Sequence, residues 1–216
     1  MQALLKNFFE TIKRGDIDQV LAERNKLGID LANLVDEANY KQNCIFYATV
    51  VKDENAAVNM AKIFTEMGVR PNQTDTLNQT PLYYASRDGK VKMIEFLIAH
   101  ECNVNHIDTY GQSPVFYAAR EGHLDALMYL HSVGADIDLV DNNGQTPLYY
   151  AIKTGKIEVV EFLLNSGSNI NNVDKKGQTP MQWAKRFNKQ PVIELLVKHG
   201  AQPPVDNKAQ KVAAKK

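Results

Sequence analysis

Apolar and polar positions follow one another along this chain in a fixed order. A short apolar run opens on Thr-Pro, a second run has helical spacing, and a stretch rich in Asn, Asp and Gly closes the unit. In the unit that begins at Asp141, Thr146 stands where a helix N-cap is favoured. Pro147 follows in the first turn, where no amide partner is lost. The pattern predicts a helix to Lys153 or Thr154 and a turn at Gly155. A second helix then carries Ile157, Val160, Phe162, Leu163 and Leu164, and Gly167 supplies a left-handed cap. SNINNVDKKG, with Ile170 and Val173 as apolar anchors, reads as an extended excursion and turn.

The same unit recurs every 33 residues, with its proline at Pro81, Pro114, Pro147 and Pro180. Gly68, Glu101, Gly134, Gly167 and Gly200 keep the register in its second half. Helices of this length do not hold alone in water, so each unit must bury its apolar face against its neighbours. The expectation is an all-α repeat solenoid of about six helix-turn-helix units joined by hairpin-like loops.

These residues also resemble the ankyrin repeat. Asp141, Gly144, Thr146, Pro147, Leu148, Ala151, Gly155, Leu163, Gly167 and Asn171 fall where its D-x-x-G-x-T-P-L-H-x-A, G-H and G-A-x-x-N elements require, and the unit at Asp108 matches through Gly111, Pro114, Ala118, Gly122, His123, Gly134 and Ala135. Repeats are expected at about 1–36, 37–74, 75–107, 108–140, 141–173 and 174–201. The first two diverge. Ala48 lies 37 residues before Ala85, which places about four inserted residues near Lys52 to Ala56. Gln182, Asn188 and Lys189 make the last repeat more polar.

The His of T-P-L-H is replaced throughout by Tyr83, Phe116, Tyr149 and Gln182. The next position is aromatic as well, at Tyr84, Tyr117, Tyr150 and Trp183, with Phe46 and Tyr47 upstream. Nine of 18 aromatic residues fall in these dipeptides, which is too ordered for chance. Two ring ladders along the first helices are expected, either packing repeat on repeat or reaching a binding groove.

The resemblance implies a protein-binding module, an adaptor, scaffold or assembly factor that uses hairpin tips and first-helix ends on its concave side. By register those positions include Leu77, Arg87, Tyr110, Arg120, Asn143, Lys153, Lys176, Arg186 and Phe187, with Gln79, Gln112, Gln145 and Gln178 between them. Basic residues outnumber acids in this set, which favours an acidic partner segment. The resemblance also implies candidate asparagine hydroxylation at Asn105 and Asn171, each eight residues after a leucine (Leu97, Leu163); the alternative is hydrogen bonding within the hairpin.

Lys plus Arg and Asp plus Glu both count 25, which argues against a protein devoted to coating nucleic acid or anionic membrane. That neutrality is composite. Residues 202–216 hold four lysines and one acid, leaving 21 basic and 24 acidic residues in 1–201. The tail reads as flexible and basic. A second reading is therefore an RNA- or ribonucleoprotein-associated factor using the tail and the basic tips. No apolar run is long enough to span a bilayer, the N-terminal segment is a poor signal peptide, and Cys44 and Cys102 cannot frame a disulfide network. A cytoplasmic location is expected, with a nuclear one as the alternative. His100, Cys102 and His106 have metal-like spacing but lack a fourth ligand, and no phosphate loop or nucleophile elbow is present. The sequence predicts no catalytic residue, metal or cofactor.

Overall fold

A computed structural model describes residues 2–202. Among the described residues twelve α-helices form six consecutive pairs: α1 (Gln2–Arg14) with α2 (Ile17–Leu27), α3 (Cys44–Thr49) with α4 (Glu54–Glu66), α5 (Pro81–Arg87) with α6 (Val91–Ala99), α7 (Pro114–Glu121) with α8 (Leu124–Ser132), α9 (Pro147–Thr154) with α10 (Ile157–Asn165), and α11 (Pro180–Arg186) with α12 (Gln190–Lys198). No strand is named among these residues, only one isolated bridge between Asp36 and Gln42. The architecture is an all-α repeat solenoid. First helices pack in one row, α1 on α3 through to α9 on α11, and second helices from α4 to α12 in another.

The first helices of the last four repeats start on Pro, and a left-handed residue at or just after the end stops most of the helices. α9 begins at Pro147 and is capped by Gly155, whose φ is 77°; α10 is capped by Ser166, before Gly167 at φ 87°. Burial then holds each pair. Leu82, Val115 and Leu148 on first helices and Leu97, Leu130 and Leu163 on second helices are fully enclosed between repeats. Each such side chain contributes about 1.5–3 kcal/mol. The core is thus a string of interfaces.

The helix starts differ from expectation in one respect. At Thr80, Ser113 and Thr146 the hydroxyl makes no capping bond and has no partner among the described residues. The first turn is closed instead by the backbone, with Tyr149 N donating to Thr146 O at 3.0 Å. These hydroxyls are buried within the stack, so their conformational preference and small size remain useful while the cap bond does not form. Thr179 alone of the four accepts from the third helical residue, Gln182 N, at 3.3 Å.

The extra residues of the second repeat also sit elsewhere than expected. The interval from Ala48 to the start of α4 equals that from Ala85 to the start of α6, so the connection between α3 and α4 is not enlarged. The insertion lengthens α4 instead, to 13 residues against nine in α6, α8, α10 and α12. One added turn leaves a helical face in register: Ala57, Met60, Ala61 and Phe64 form a single buried stripe.

Candidate functional site

The hairpins between repeats are built around an aspartate. Asp108 Oδ1 accepts the backbone N–H groups of Tyr110 (2.8 Å) and Gln112 (3.0 Å), and its own N–H donates to Gln112 O at 2.9 Å. Its second oxygen faces the helix row. There Asp108 Oδ2 accepts Tyr117 OH at 2.7 Å and Gln79 Nε2, from the preceding repeat, at 2.8 Å, while Gln79 Nε2 also reaches Tyr117 OH at 2.6 Å. The same clasp recurs as Gln42–Asp75–Tyr84 and Gln112–Asp141–Tyr150, and as Gln145–Asp174–Trp183 with the indole N–H as donor.

Its electrostatics are consistent with this enclosure. Burial raises the phenols of Tyr84, Tyr117 and Tyr150 well above their ordinary range, and the adjoining carboxylates add to it. For Asp174 burial pulls upward, but hydrogen bonds from Gln178, Gln145, Lys176 and Trp183 outweigh it and hold the carboxyl below its usual value.

Gln79, Gln112 and Gln145 are therefore buried members of the clasp and not groove-lining contacts, contrary to their reading as tip positions. The two expected ring ladders are also interleaved. A first-position ring meets the second-position ring of the following repeat edge-to-face: Phe46 with Tyr84 (5.3 Å between centroids), Tyr83 with Tyr117 (5.5 Å), Phe116 with Tyr150 (5.8 Å) and Tyr149 with Trp183 (5.8 Å). Tyr83, Phe116 and Tyr149 are each about 1% exposed, so the first position is structural. At the second position Tyr84, Tyr150 and Trp183 are half-buried and Tyr117 is buried, and a cation lies over three of these rings: Arg87 on Tyr84 (5.0 Å), Arg120 on Tyr117 (4.6 Å) and Arg186 on Trp183 (6.0 Å).

Charge along this face is uneven. Arg87 is paired with Asp88 at 2.8 Å and Arg120 with Glu121 at 3.0 Å. Lys153, Lys175, Lys176 and Arg186 have no acidic group within salt-bridge distance among the described residues, and Lys153 and the two tip lysines are exposed. Among the candidate positions the basic groups without an acidic neighbour thus all lie in the last two repeats. There Phe187, 36% exposed, lies 5.4 Å from Trp183. The other tips are fixed by backbone bonds from hairpin to hairpin: Thr109 N to Leu77 O (3.0 Å), Asn142 N to Tyr110 O (2.9 Å) and Lys175 N to Asn143 O (2.9 Å). Leu77 is half-buried, Asn143 turns its amide toward Asp141 (3.4 Å), and Tyr110 projects with 52% of its surface exposed.

Asn105 bridges two hairpins. Its Nδ2 donates to Gly134 O at 3.0 Å and its Oδ1 accepts Asp136 N at 2.8 Å. Asn171 Oδ1 likewise accepts Gln202 N at 3.1 Å. The side-chain partner in each case lies about 30 residues onward, in the next repeat, while the backbone N–H groups of Asn105 and Asn171 donate locally to Asn103 Oδ1 (2.9 Å) and Asn169 Oδ1 (3.2 Å). Burial pushes the Cys102 thiol up to about 12, and Sγ lies 3.3 Å from Pro71 O; His100 bonds Phe96 O and His106 bonds Asn78 O. The basic tail lies, but for Gln202, outside the described residues.

A cleft that no tip residue announced lies at the other end. It measures about 780 Å³ and is lined by Leu5, Phe9 and Lys13 of α1, by residues 35–39 and by Tyr47. Phe9 stacks on Tyr47 at 4.5 Å, and Tyr47 OH donates to Asp36. The sequence signal was the interval from Asp36 to Tyr47, 11 residues where other clasps have nine.

With this geometry in place, the match of the family model for ankyrin repeats (3 copies) to residues 45–141 and 127–207 decides the family. The chain belongs to the ankyrin-repeat family. The Gln–Asp–aromatic clasp is thus laid over an ankyrin frame in which the usual His is absent. No curated protein matches the chain. Ankyrin repeats are generally protein–protein interaction modules.

Proposed function

We propose that this chain is a non-enzymatic binding module, an adaptor or assembly factor that presents a rigid repeat stack to a protein partner. The observation that carries this reading is the pairing of charges along the face. Arg87 and Arg120 are neutralised by their neighbours, whereas Lys153, Lys175, Lys176 and Arg186 are left without acids beside the Trp183–Phe187 pair. The partner segment is acidic with an apolar side chain, and it docks across the last two repeats. Fixed tips lower the entropic cost of binding, and the charge sets orientation and on-rate.

The test is affinity capture from native cells with the intact chain and a Lys153→Glu, Lys176→Glu, Arg186→Glu variant of unchanged melting behaviour. The variant is expected to lose the partners that a Tyr110→Ala variant retains. Identical partners on the triple variant and the intact chain would refute the assignment.

A further inference from the structure

The cleft beside α1 has the features of a hairpin seat. Throughout the stack each hairpin rests on the one before it in two ways. The residue after the clasp aspartate donates its backbone N–H to the preceding tip, as Thr76 N does to Tyr40 O at 2.8 Å, and the aspartate's Oδ2 accepts the preceding glutamine. In the first unit, the register positions of hairpin residues 109–112 are taken by the opening turn of α1, with Leu5 where Gln112 would stand. The helix engages its own backbone carbonyls, and Leu5 has no side-chain amide to offer. Among the described residues Glu37 N, the counterpart of Thr76 N, has no backbone or side-chain acceptor, and the Asp36 carboxylate accepts only Tyr47 OH and Ala38 N (3.0 Å). Asp75, Asp108, Asp141 and Asp174 each additionally hold a glutamine amide and a second backbone N–H.

The geometry points to a second docking site here, for an extended hairpin-like segment of a partner protein. Its backbone carbonyl takes Glu37 N–H, a glutamine or asparagine amide reaches Asp36 Oδ2, and an apolar side chain enters between Leu5, Phe9 and Val35. A strand added to an exposed edge in this way gains its affinity from main-chain bonds and its specificity from the pocket. Of the nearby charges, Lys13 pairs with Glu10 at 2.7 Å and Lys41 with Glu37 at 3.7 Å, while Lys6 and Asp36 on the cleft wall have no ion-pair partner among the described residues. The volume lies within the range of pockets that take a drug-sized ligand. The inference concerns the opposite end of the stack from the basic face and does not depend on it.

The probe is this chain's own hairpin, residues 104–114, closed into a ring through its termini. Titrated into the ¹⁵N-labelled chain, it is expected to bind saturably and to shift the amides of Glu37 and Ala38. A ring carrying Gln112→Ala binds about tenfold more weakly, having lost a bond to a carboxylate. Ala38→Trp, which fills the cleft from an exposed position, abolishes binding while circular dichroism and melting stay unchanged. No binding at millimolar peptide, shifts centred on other hairpins, or undiminished binding to Ala38→Trp would each overturn the site. A dimer in sedimentation that Ala38→Trp dissolves would make the occupant a second copy of the chain and overturn the partner segment.

Discussion

Replacing Gln79 with alanine isolates the chemistry that couples one repeat to the next. The side chain is buried, and its Nε2 donates at 2.8 Å to Asp108 Oδ2 and at 2.6 Å to Tyr117 OH. Its backbone bonds to Asp75 survive truncation. A bond to a carboxylate contributes about 1.5–3 kcal/mol and one to a neutral hydroxyl about 1 kcal/mol. Asp108 Oδ2 keeps Tyr117 as a partner, so no charge is left wholly unsatisfied, and the expected loss is about 3 kcal/mol. Gln178 provides the comparison. It holds the same repeat position in the last unit, is half-buried, and meets Arg186 at 3.4 Å; Gln178→Ala should cost about 0.5 kcal/mol or less. Urea unfolding followed by far-UV circular dichroism and by the fluorescence of Trp183, the single tryptophan, measures both. In the Gln79→Ala chain the two signals are expected to separate, because Trp183 reports the last repeat while dichroism reports all. Equal losses at 79 and 178 would mean that side-chain volume, and not the clasp, sets the coupling.

Two further outcomes follow from the same geometry. Burial raises the phenols of Tyr47, Tyr83, Tyr84, Tyr117, Tyr149 and Tyr150, so the folded state holds protons that the unfolded chain releases near pH 10. Stability is then complete below about pH 10 and falls as pH rises above it; absorbance at 295 nm should show these phenols ionising together with loss of helix, and their ionisation in a fully helical chain would contradict it. Gly111 and Gly177 share a repeat position and a φ of 74°, but a Cβ on Gly111 would come within 3.0 Å of Asn142 N, whereas one on Gly177 meets nothing. Both alanine variants lose about 1 kcal/mol to strain, and Gly111→Ala about 1 kcal/mol more in chemical denaturation; equal costs would dismiss the crowding.

The repeat frame was legible because its punctuation is local. Pro81, Pro114, Pro147 and Pro180 and the left-handed glycines mark helix limits whatever surrounds them. The clasp was not legible, because Gln79 meets its partners 29 and 38 residues later and reads along the chain as one more polar tip residue. Pairing of Arg87 with Asp88 could be seen as adjacency, but not as cancellation, until the side chains were placed. The α4 insertion was misplaced because a spacing of 37 counts residues without saying which element absorbs them. The cleft escaped because Leu5 looks like any apolar helix residue until its register with Gln112 is drawn.

Identical junctions also make the central repeats interchangeable. Excising residues 108–140 would bring Gln79 before Asp141 and Tyr150, the same amide, carboxylate and phenol that it meets now in Asp108 and Tyr117, with Tyr83 again facing a tyrosine ring. A gene encoding such joints can gain or lose 33-residue cassettes by unequal exchange without inventing a new interface. The reach of the binding surface can thus change in whole steps while its two dissimilar ends are kept.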